Sequence, residues 1–387
     1  MDDLTLPHDA VLLHIGPVKT GTSAIQQALS VARPVLAEHG VLYPGRARRQ
    51  LRPSLAVLRR QYYGGRQVPP IELWENLVRK TRAAEGRVCI STEDMGSANA
   101  REAARIVEGL GAERVHVVLT ARRLDKLLPS SWQERVKNGE QTPYPDWLRI
   151  VLGTDTAHPV YRRFWRHHDL EATYRTWTQS VPADRFIVIM SDDSDRRLLH
   201  HTFESMLDLP SGILESTSEN TSLSAGAVEL VRRVNVAAAE QTWAPRDYRL
   251  LIHRGMVERL QGMRTEGDVR IPPIPAWAVE RANELTAQFL EFLSTHAVRV
   301  VGDPEILRVP ADEAPESIDA GPDVVSTDLA AAAVEGVREG MILRLAEEQD
   351  QHAAEIDALQ QRIRELERRP GARARAALGR GRGTLPS

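Results

Sequence analysis

A glycine-rich loop between an apolar run and a helix is the feature that most constrains the fold of this chain. The stretch reads "HIGPVKTGTSAIQ" over residues 14–26 and directly follows the apolar run "VLL". Ile25, Leu29 and Leu36 then recur at helical spacing, and Gly40 is placed to end the helix. A strand, a tight loop and a helix in this order direct several backbone N–H groups toward one point, where the helix dipole adds positive potential. The sequence therefore predicts an anion-binding loop.

Other short apolar runs predict the rest of a sheet. They are "VLYPG", "RVCIS", "VHVVLT" and "FIVIM", which end at residues 45, 91, 120 and 190. Strands that are apolar throughout and alternate with helices form parallel sheets covered on both faces. We therefore expect a three-layer α/β domain with a central parallel sheet, a P-loop NTPase-like fold, over residues 8–308. Helical insertions are expected within 130–180 and 222–295.

The composition changes after residue 308. Residues 309–328 are acidic and rich in Pro, Ala and Gly, which predicts a linker. Residues 329–369 are helical in pattern, and residues 370–387 carry four arginines and no acid. We expect that tail to be disordered and to contact anionic surfaces such as lipid headgroups or an acidic protein face.

The helical extension carries an apolar seam typical of a coiled coil. Its 3-4 spacing is kept by Ile342, Leu345, Gln349, His352, Ile356, Leu359, Ile363 and Leu366. Because two of these positions are polar, a homodimer through this coiled-coil-like segment should be weak. Folding of the segment back onto the α/β domain is the alternative.

Charge and composition narrow the function classes. The chain is 42% hydrophobic and 27% charged, as in ordinary globular proteins, and its net charge of -3 gives no electrostatic reason to bind nucleic acid. Cys89 is the single cysteine, which suits a reducing compartment. The start "MDDLTLPHDA" lacks the basic region of a signal peptide, and no run approaches the roughly 18 apolar residues of a membrane span. We expect a cytoplasmic protein.

The lysine of the loop is not where a nucleoside triphosphatase would have it. In the pattern GxxxxGK[ST] the lysine follows the second glycine. Gly16 and Gly21 keep that glycine spacing, but Thr22 occupies the lysine position and Lys19 lies at the middle of the loop. A P-loop kinase that takes a Walker-B-like acid from "CISTED" stays an alternative, and Thr22 counts against it.

The same stretch resembles the 5′-phosphosulfate loop of sulfotransferases that use 3′-phosphoadenosine 5′-phosphosulfate (PAPS), with its pattern Lys-[Ser/Thr]-Gly-Thr-[Thr/Ser]. It is most similar to bacterial and carbohydrate-type members, which share "HIG" and a glutamine at Gln26. The resemblance implies that PAPS is the sulfuryl donor and that Lys19 is the cation beside its leaving phosphate. It also implies a set of cofactor-binding residues in the loop: Gly16, Lys19, Thr20, Gly21, Thr22 and Ser23.

A second stretch, "VHVVLTARRLDKLLPSSW", resembles the 3′-phosphate site of the same family, an arginine at a strand end and a serine eight positions later. Arg122 and Ser130 fit that spacing, and guanidinium groups bind phosphate in bidentate fashion. Arg123 and Ser131 have the same spacing, so the register stays open. The first register is preferred because "SW" then matches the Ser-Tyr-Tyr-like continuation of the family.

Two positions depart from the family pattern. Leu124 stands where the family often has a proline, and Ala24 stands where cytosolic members have a tryptophan that faces the adenine. The resemblance therefore leaves the adenine contact unassigned.

Sulfuryl transfer needs a base for the acceptor proton and a cation for the leaving phosphate. Glu93 is the candidate base, because it follows a buried strand and active sites of open α/β sheets gather at the carboxyl ends of strands. The resemblance agrees, since many relatives carry Ser-[Ser/Thr]-Glu there. The structural alternative for Glu93 is stabilisation of a helix N-terminus.

Histidines are the competing bases. His14 lies inside the first strand, and His167 and His168 belong to "YRRFWRHHDL". That segment either lines the acceptor cleft, where Trp165 offers a face for stacking on a sugar, or forms an amphipathic surface helix with Trp165 turned into the core.

The sequence leaves the acceptor open among glycan, glycolipid and small-metabolite hydroxyls or amines. It contains no HExxH motif, no Cys/His cluster and no DxDxDG loop, so no metal site is expected. A non-catalytic nucleotide-binding scaffold that oligomerises through residues 340–369 is the alternative from another class.

Overall fold

A parallel sheet forms the centre of the protein. The computed structural model describes residues 4–61, 67–191, 194–195, 197–215, 222–263, 269–310, 314–319, 321–322 and 324–368. Within these residues six strands pair in the order β2-β3-β1-β4-β5-β6, and every neighbouring pair is parallel. The strands are β1 (Val11–His14), β2 (Val41–Leu42), β3 (Arg87–Ser91), β4 (Val115–Arg122), β5 (Phe186–Ser191) and β6 (Arg299–Val301). The predicted three-layer α/β class is confirmed.

Helices connect the strands and cover the sheet. They are α1 (Thr22–Val31), α2 (Arg33–Glu38), α3 (Leu51–Val57), α4 (Glu72–Arg82), α5 (Ala100–Leu110), α6 (Leu124–Lys137), α7 (Tyr144–Val151), α8 (Pro159–His168), α9 (Leu170–Trp177), α10 (Leu198–Leu207), α11 (Ala225–Glu240), α12 (Pro245–Asp247), α13 (Glu258–Leu260), α14 (Ala276–Thr295) and α15 (Thr327–Arg368). A π-helix, Tyr248–Val257, joins α12 to α13, and short 3-10 helices span Glu93–Ser97, Ala183–Arg185 and Pro304–Leu307.

Strand β1 shows how the sheet builds two cores. Successive side chains of a strand point to opposite faces. Leu12 accordingly packs in one cluster with Ile25 of α1, and Leu13 packs in the other with Ile106 of α5. All four residues are fully buried. A strand that must be apolar on both faces reads as a continuous apolar run, which is the pattern the sequence displays.

A third core lies in the helical part of the protein. It is built by α6, α7, α8, α11, the π-helix, α14 and the first turns of α15. Trp147 and Phe164 are its largest fully buried side chains, and their rings meet edge-on at 5.4 Å between centroids. Helices α7, α8, α11, α14 and the π-helix lie in the two stretches where the sequence predicts helical insertions, whereas α6 begins before the first stretch and α15 follows the second.

Helix α15 packs on the π-helix through glycines. A Cβ atom on Gly336 would lie 2.7 Å from the Cα of Met256 and 2.9 Å from the Cβ of Arg259. Leu329, one of the apolar residues before this crossing, is buried in the third core. The two helices therefore approach to backbone contact, which a larger side chain at residue 336 would prevent.

The described residues of the segment 309–328 pack against the same core through Val309, Ala314, Ile318 and Val325. The N–H of Val309 donates to Asn283 Oδ1 at 2.8 Å, and the carbonyl of Pro315 accepts from the N–H of Ala276 at 2.9 Å. The apolar seam of α15, by contrast, is exposed: Leu359 is 64% exposed and Ile356 is 54% exposed. The basic tail predicted for 370–387 lies outside the described residues.

One strand boundary differs from the sequence analysis, and one strand was not predicted. Strand β4 continues past Thr120 to Arg122, because Arg122 still pairs with Ser191 of β5. Strand β6 has three residues at the sheet edge, too few for a sequence signal. Among the helices of the described residues, none is long and apolar enough to cross a membrane.

Candidate functional site

The carboxyl ends of β1, β3 and β4 lie side by side and bring the predicted motifs together. The N–H of Thr92 donates to the carbonyl of His14 at 2.9 Å, and the N–H of Thr120 donates to the carbonyl of Gly16 at 2.8 Å. The glycine loop thus lies between the segment that begins with Glu93 and the strand that ends with Arg122. Open α/β sheets place their ligand sites at this edge.

Left-handed backbone conformations shape the loop. The φ angles are 94° at Gly16, 68° at Lys19 and 93° at Gly21. A Cβ atom on Gly16 would lie 2.9 Å from the Cβ of Glu93, so this glycine permits close contact between the loop and Glu93. The Oγ1 of Thr20 donates to the carbonyl of Pro17 at 2.8 Å and tightens the turn. Lys19 adopts a conformation that costs a residue with a side chain about 1 kcal/mol or more, as is common at functional sites.

The loop offers a group of unpaired donors. Within the part of the chain that the structure describes, no protein acceptor takes the N–H groups of residues 18–23. The last two of these open α1, whose N-terminus has no side-chain cap. Unpaired N–H groups at a helix N-terminus suit a phosphate or sulfate group.

Lys19 is held by a carboxylate that the sequence analysis did not identify. Its Nζ lies 2.9 Å from Glu134 Oε2, and Nζ of Lys137 lies 4.0 Å from the same oxygen. Burial alone would raise the pKa of Glu134, but the two ammonium groups outweigh it and bring the pKa to about 2. Burial lowers the pKa of Lys137 to about 8, against the attraction of Glu134.

Arg122 and Arg123 have different partners. Arg122 Nη1 donates to the carbonyl of Lys19 at 2.8 Å, so its guanidinium lies against the loop. Arg123 binds both oxygens of Asp125, at 2.6 Å and 2.9 Å, at the start of α6. This geometry favours Arg122 as the arginine that faces a ligand of the loop.

The serines of α6 also differ. Ser130 is half-buried and lies one helical turn before Glu134, so both occupy the face of α6 that meets Lys19. The hydroxyl of Ser131 is buried and has no hydrogen-bond partner among the described residues. Glu134 lies four residues after Ser130 in the sequence. This helical spacing is the sequence signal that could have identified Glu134.

Glu93 begins a 3-10 helix two residues after the end of β3. Its Oε2 accepts from Gln26 Nε2 at 2.8 Å, and its Oε1 lies 2.7 Å from Arg49 Nη1. Burial favours the protonated form, yet the charge of Arg49 and the hydrogen bond from Gln26 hold the pKa of Glu93 below its ordinary value. Glu93 is therefore a carboxylate at neutral pH.

His14 is fully buried between two strands. Its Nδ1 lies 2.9 Å from Ser91 Oγ, and its Nε2 lies 3.3 Å from Thr120 Oγ1. Burial lowers the pKa of His14 to about 4, and the nearby Glu93 opposes that shift only in part. A neutral imidazole with both nitrogens engaged links β3, β1 and β4, which agrees with packing rather than proton transfer.

The segment 161–168 combines buried aromatic side chains with basic ones. The indole of Trp165 donates to the carbonyl of Val151 at 2.7 Å and packs edge-on against Phe164. Trp165 thus faces the third core, as in the amphipathic-helix alternative. His168 is buried against Phe164, whereas His167 is half-buried.

No group of three or more His, Cys, Asp or Glu side chains among the described residues could hold a metal ion. No protein-family model matches the chain. No curated protein matches it either. A solved structure, the sulfotransferase from Alicyclobacillus acidocaldarius, is similar to this chain with a TM-score of 0.38 and 16% sequence identity, over 63% of this chain and 95% of that one.

Proposed function

We propose that this chain is a sulfotransferase that moves a sulfuryl group from 3′-phosphoadenosine 5′-phosphosulfate to a hydroxyl or amine. The observation that carries the proposal is the loop itself: the N–H groups of residues 18–23 have no protein acceptor in the described chain, and the carbonyl of Lys19 accepts from Arg122. Two anion-binding elements in contact suit a donor that carries phosphate at both its 5′ and 3′ positions.

Each of these residues has a separate proposed role. Loop N–H groups, Thr22 and Ser23 bind the 5′-phosphosulfate, and Arg122 with Ser130 binds the 3′-phosphate. Lys19 stabilises the charge that develops on the leaving phosphate. When bound, the donor supplies the sulfuryl group.

Glu93 is the proposed base for the acceptor. Its carboxylate is ionised at neutral pH, because Arg49 and Gln26 offset the effect of burial. The same two partners orient it at the edge of the loop, next to Gly16. A strongly ionised carboxylate is a weak base, so its contribution comes from orientation and hydrogen bonding to the acceptor as much as from proton affinity.

Binding of nucleotides separates this proposal from the alternatives. The chain should bind 3′-phosphoadenosine 5′-phosphate far more tightly than ATP or ADP, and a thermal-shift titration reads this directly because ligands stabilise the folded state by mass action. A kinase would reverse the order, and a scaffold that binds nucleotides without catalysis would bind but not transfer.

Transfer itself is tested with PAPS and a panel of glycan, glycolipid and small-molecule acceptors, with the added sulfuryl group detected by mass spectrometry. Lys19→Ala should abolish transfer, whereas Lys80→Ala, an exposed lysine of α4, should leave it unchanged. Preference for ATP in the thermal-shift titration would refute the proposal.

A further inference from the structure

A buried lysine lies at the end of α6, and the proposed function has not yet used it. Lys137 is the last residue of that helix. The backbone around it is held by Asn235 of α11, whose Nδ2 donates to the carbonyls of Val136 and Glu140, both at 2.8 Å. The packing of α6 on α11 therefore fixes where the side chain of Lys137 begins.

Two ammonium groups share one carboxylate oxygen at this end of α6. Glu134 Oε2 lies 2.9 Å from Lys19 Nζ and 4.0 Å from Lys137 Nζ. Among the described residues, no other carboxylate forms an ion pair with either lysine. The three side chains thus carry one positive charge in excess, next to the unpaired N–H groups of the loop.

The two lysines differ in their freedom to move. The side chain of Lys19 is 29% exposed and belongs to the loop, whereas that of Lys137 is 7% exposed. A buried ammonium without a counter-ion is costly, and burial lowers the pKa of Lys137 to about 8 although Glu134 acts in the opposite direction. Lys19 can therefore turn toward a ligand, but Lys137 stays within reach of Glu134.

An anion in the loop would disturb this arrangement. The N–H groups of residues 18–23 and the ammonium of Lys19 would both bind the anion, so Glu134 would lose its closest cation. Lys137 follows Glu134 by three residues, a spacing at which side chains of one helix form ion pairs. The carboxylate of Glu134 thus has a second ammonium on its own helix to approach.

We propose that Lys137 is a positioning residue, which takes Glu134 over from Lys19 when an anion binds the loop. This exchange breaks the 2.9 Å ion pair and shortens the 4.0 Å one, so Lys19 is released to the ligand while Glu134 keeps a partner. No covalent bond forms or breaks. The inference rests on the proposed function for the identity of the anion, which is the 5′-phosphosulfate of the donor.

Titration of Lys137 should therefore act on the affinity for the ligand. Because the exchange strengthens the contact of Lys137 with Glu134, binding raises the pKa of Lys137 from about 8, and affinity falls as the pH increases through 8. The π-helix contributes two further titratable groups among the described residues. His253 acts on both Glu134 and Lys137, and burial holds its pKa below the ordinary value of 6.5, so it stays neutral above pH 7.5. The hydroxyl of Tyr248 donates to Asn235 Oδ1 at 2.7 Å.

Calorimetry with 3′-phosphoadenosine 5′-phosphate on the full chain, at pH 7.5 and at pH 9, tests the exchange. Wild type should lose affinity about two- to fivefold over this range, the effect of a partly exposed ion pair. Lys137→Arg keeps its charge at both pH values, so it should bind as wild type does at pH 7.5 and show no such loss. Lys80→Met, which changes an exposed lysine of α4, should keep the loss.

A pair of substitutions shows whether Lys137 acts through Glu134. Lys137→Met keeps the length of the side chain and removes its charge, so the whole attraction of Glu134 falls on Lys19 and affinity at pH 7.5 should fall about two- to fivefold. In Glu134→Gln that attraction is absent, and the addition of Lys137→Met should change affinity by less than about twofold. A loss of the same size in both backgrounds would mean that Lys137 contacts the ligand directly, which overturns the exchange.

Failure of the exchange and failure of the proposed function are distinguishable. Nucleotide binding with the same pH profile in wild type and Lys137→Arg overturns the exchange alone. A wild type that does not bind 3′-phosphoadenosine 5′-phosphate refutes the sulfotransferase proposal. The same variants are then compared with inorganic pyrophosphate, an anion that needs only the loop, and the exchange predicts the same order of affinities.

Discussion

The ammonium group of Lys19 lies 2.9 Å from a carboxylate oxygen of Glu134, on the helix that follows the strand of Arg122. Both side chains are partly exposed, so the ion pair is screened by solvent and an arriving anion can compete for the lysine. Glu134 therefore moderates the attraction between Lys19 and a ligand of the loop.

Substitution of Glu134 tests this relationship. Glu134→Gln removes the competing charge, so we expect 3′-phosphoadenosine 5′-phosphate to bind about two- to fivefold more tightly, the range for a partly exposed ion pair. Calorimetry measures the affinity, and Glu75→Gln, an exposed glutamate of α4, is the control. Weaker binding in Glu134→Gln would mean that the pair orients Lys19 for the ligand instead of competing with it.

The two arginines at the end of β4 should differ in their effect on the 3′-phosphate. Arg122→Gln should weaken binding of 3′-phosphoadenosine 5′-phosphate by about 1.5–3 kcal/mol, the value of charge-assisted bonds, and leave binding of adenosine 5′-phosphate nearly unchanged. Arg123→Gln should have little effect on the binding of either nucleotide, because Arg123 is paired with Asp125. The opposite result would assign the 3′-phosphate to Arg123 and Ser131. If the wild type uses PAPS and adenosine 5′-phosphosulfate equally well, the chain has no 3′-phosphate site.

Glu93→Gln keeps the shape of the side chain and removes its negative charge. We expect turnover to fall by about 10²–10⁴-fold while nucleotide affinity stays within about threefold. Because the pKa of Glu93 lies below its ordinary value, its titration should not appear in the wild-type activity between pH 6 and 8. A loss of turnover under threefold would return Glu93 to a structural role and direct attention to His167 and His168.

Acid should destabilise the fold through buried histidines. The pKa of His14 is about 4 in the folded chain and 6.5 ordinarily, so the unfolded chain takes up the proton first as the pH falls. The contribution of neutral His14 to the free energy of unfolding is fully present above pH 6.5. It falls by about 3 kcal/mol as the pH is lowered toward 4. Burial shifts the pKa of His167 and His168 in the same direction.

Urea unfolding between pH 7.5 and 4.5 measures this loss. Wild type should lose stability steeply over the range, and His14→Gln should lose about 2–3 kcal/mol less than wild type over the same range. Parallel pH profiles for the two proteins would show that His14 does not carry the dependence.

We expect the C-terminal helix α15 to have two parts. The first packs on the rest of the chain, and the second associates with another copy of the chain. Glu347 lies 3.1 Å from Arg249 and 3.4 Å from Arg246, and Glu348 lies 3.8 Å from Arg246, so the contact of α15 with α12 and the π-helix extends to residue 348. A chain that ends at residue 350 keeps these contacts and loses most of the exposed seam. We expect it to stay folded and active but to be monomeric in light scattering, and we expect the full chain to form a weak dimer.

A full-length control avoids shortening the chain. Leu359→Lys with Leu366→Lys places charges on the exposed seam and should give the same monomer. A dimer that survives both changes would place the association in the α/β part. A cut before α15 is a poor test, because it removes Leu329 and Ala333 from the third core.

The sequence by itself determined the glycine loop and five of the six strands that the structure describes. Continuous apolar runs specify buried parallel strands, and the two glycines of the loop specify a turn, because both are local consequences of side-chain size and backbone freedom. The rule that ligands gather at the carboxyl ends of strands then brought Glu93 and Arg122 to the loop, and the strand order does place them there.

Only the tertiary structure decided which charges face each other. That Glu134 holds Lys19 and that Arg49 holds Glu93 follow from how the chain packs around the sheet. In sequence these are charged residues among many, since an ion pair depends on distance in space and leaves no periodic pattern. The same holds for α15, whose glycine face contacts the π-helix while its apolar seam stays exposed. Backbone contact between two helices requires small residues. The larger side chains of the seam would hold the two helices apart.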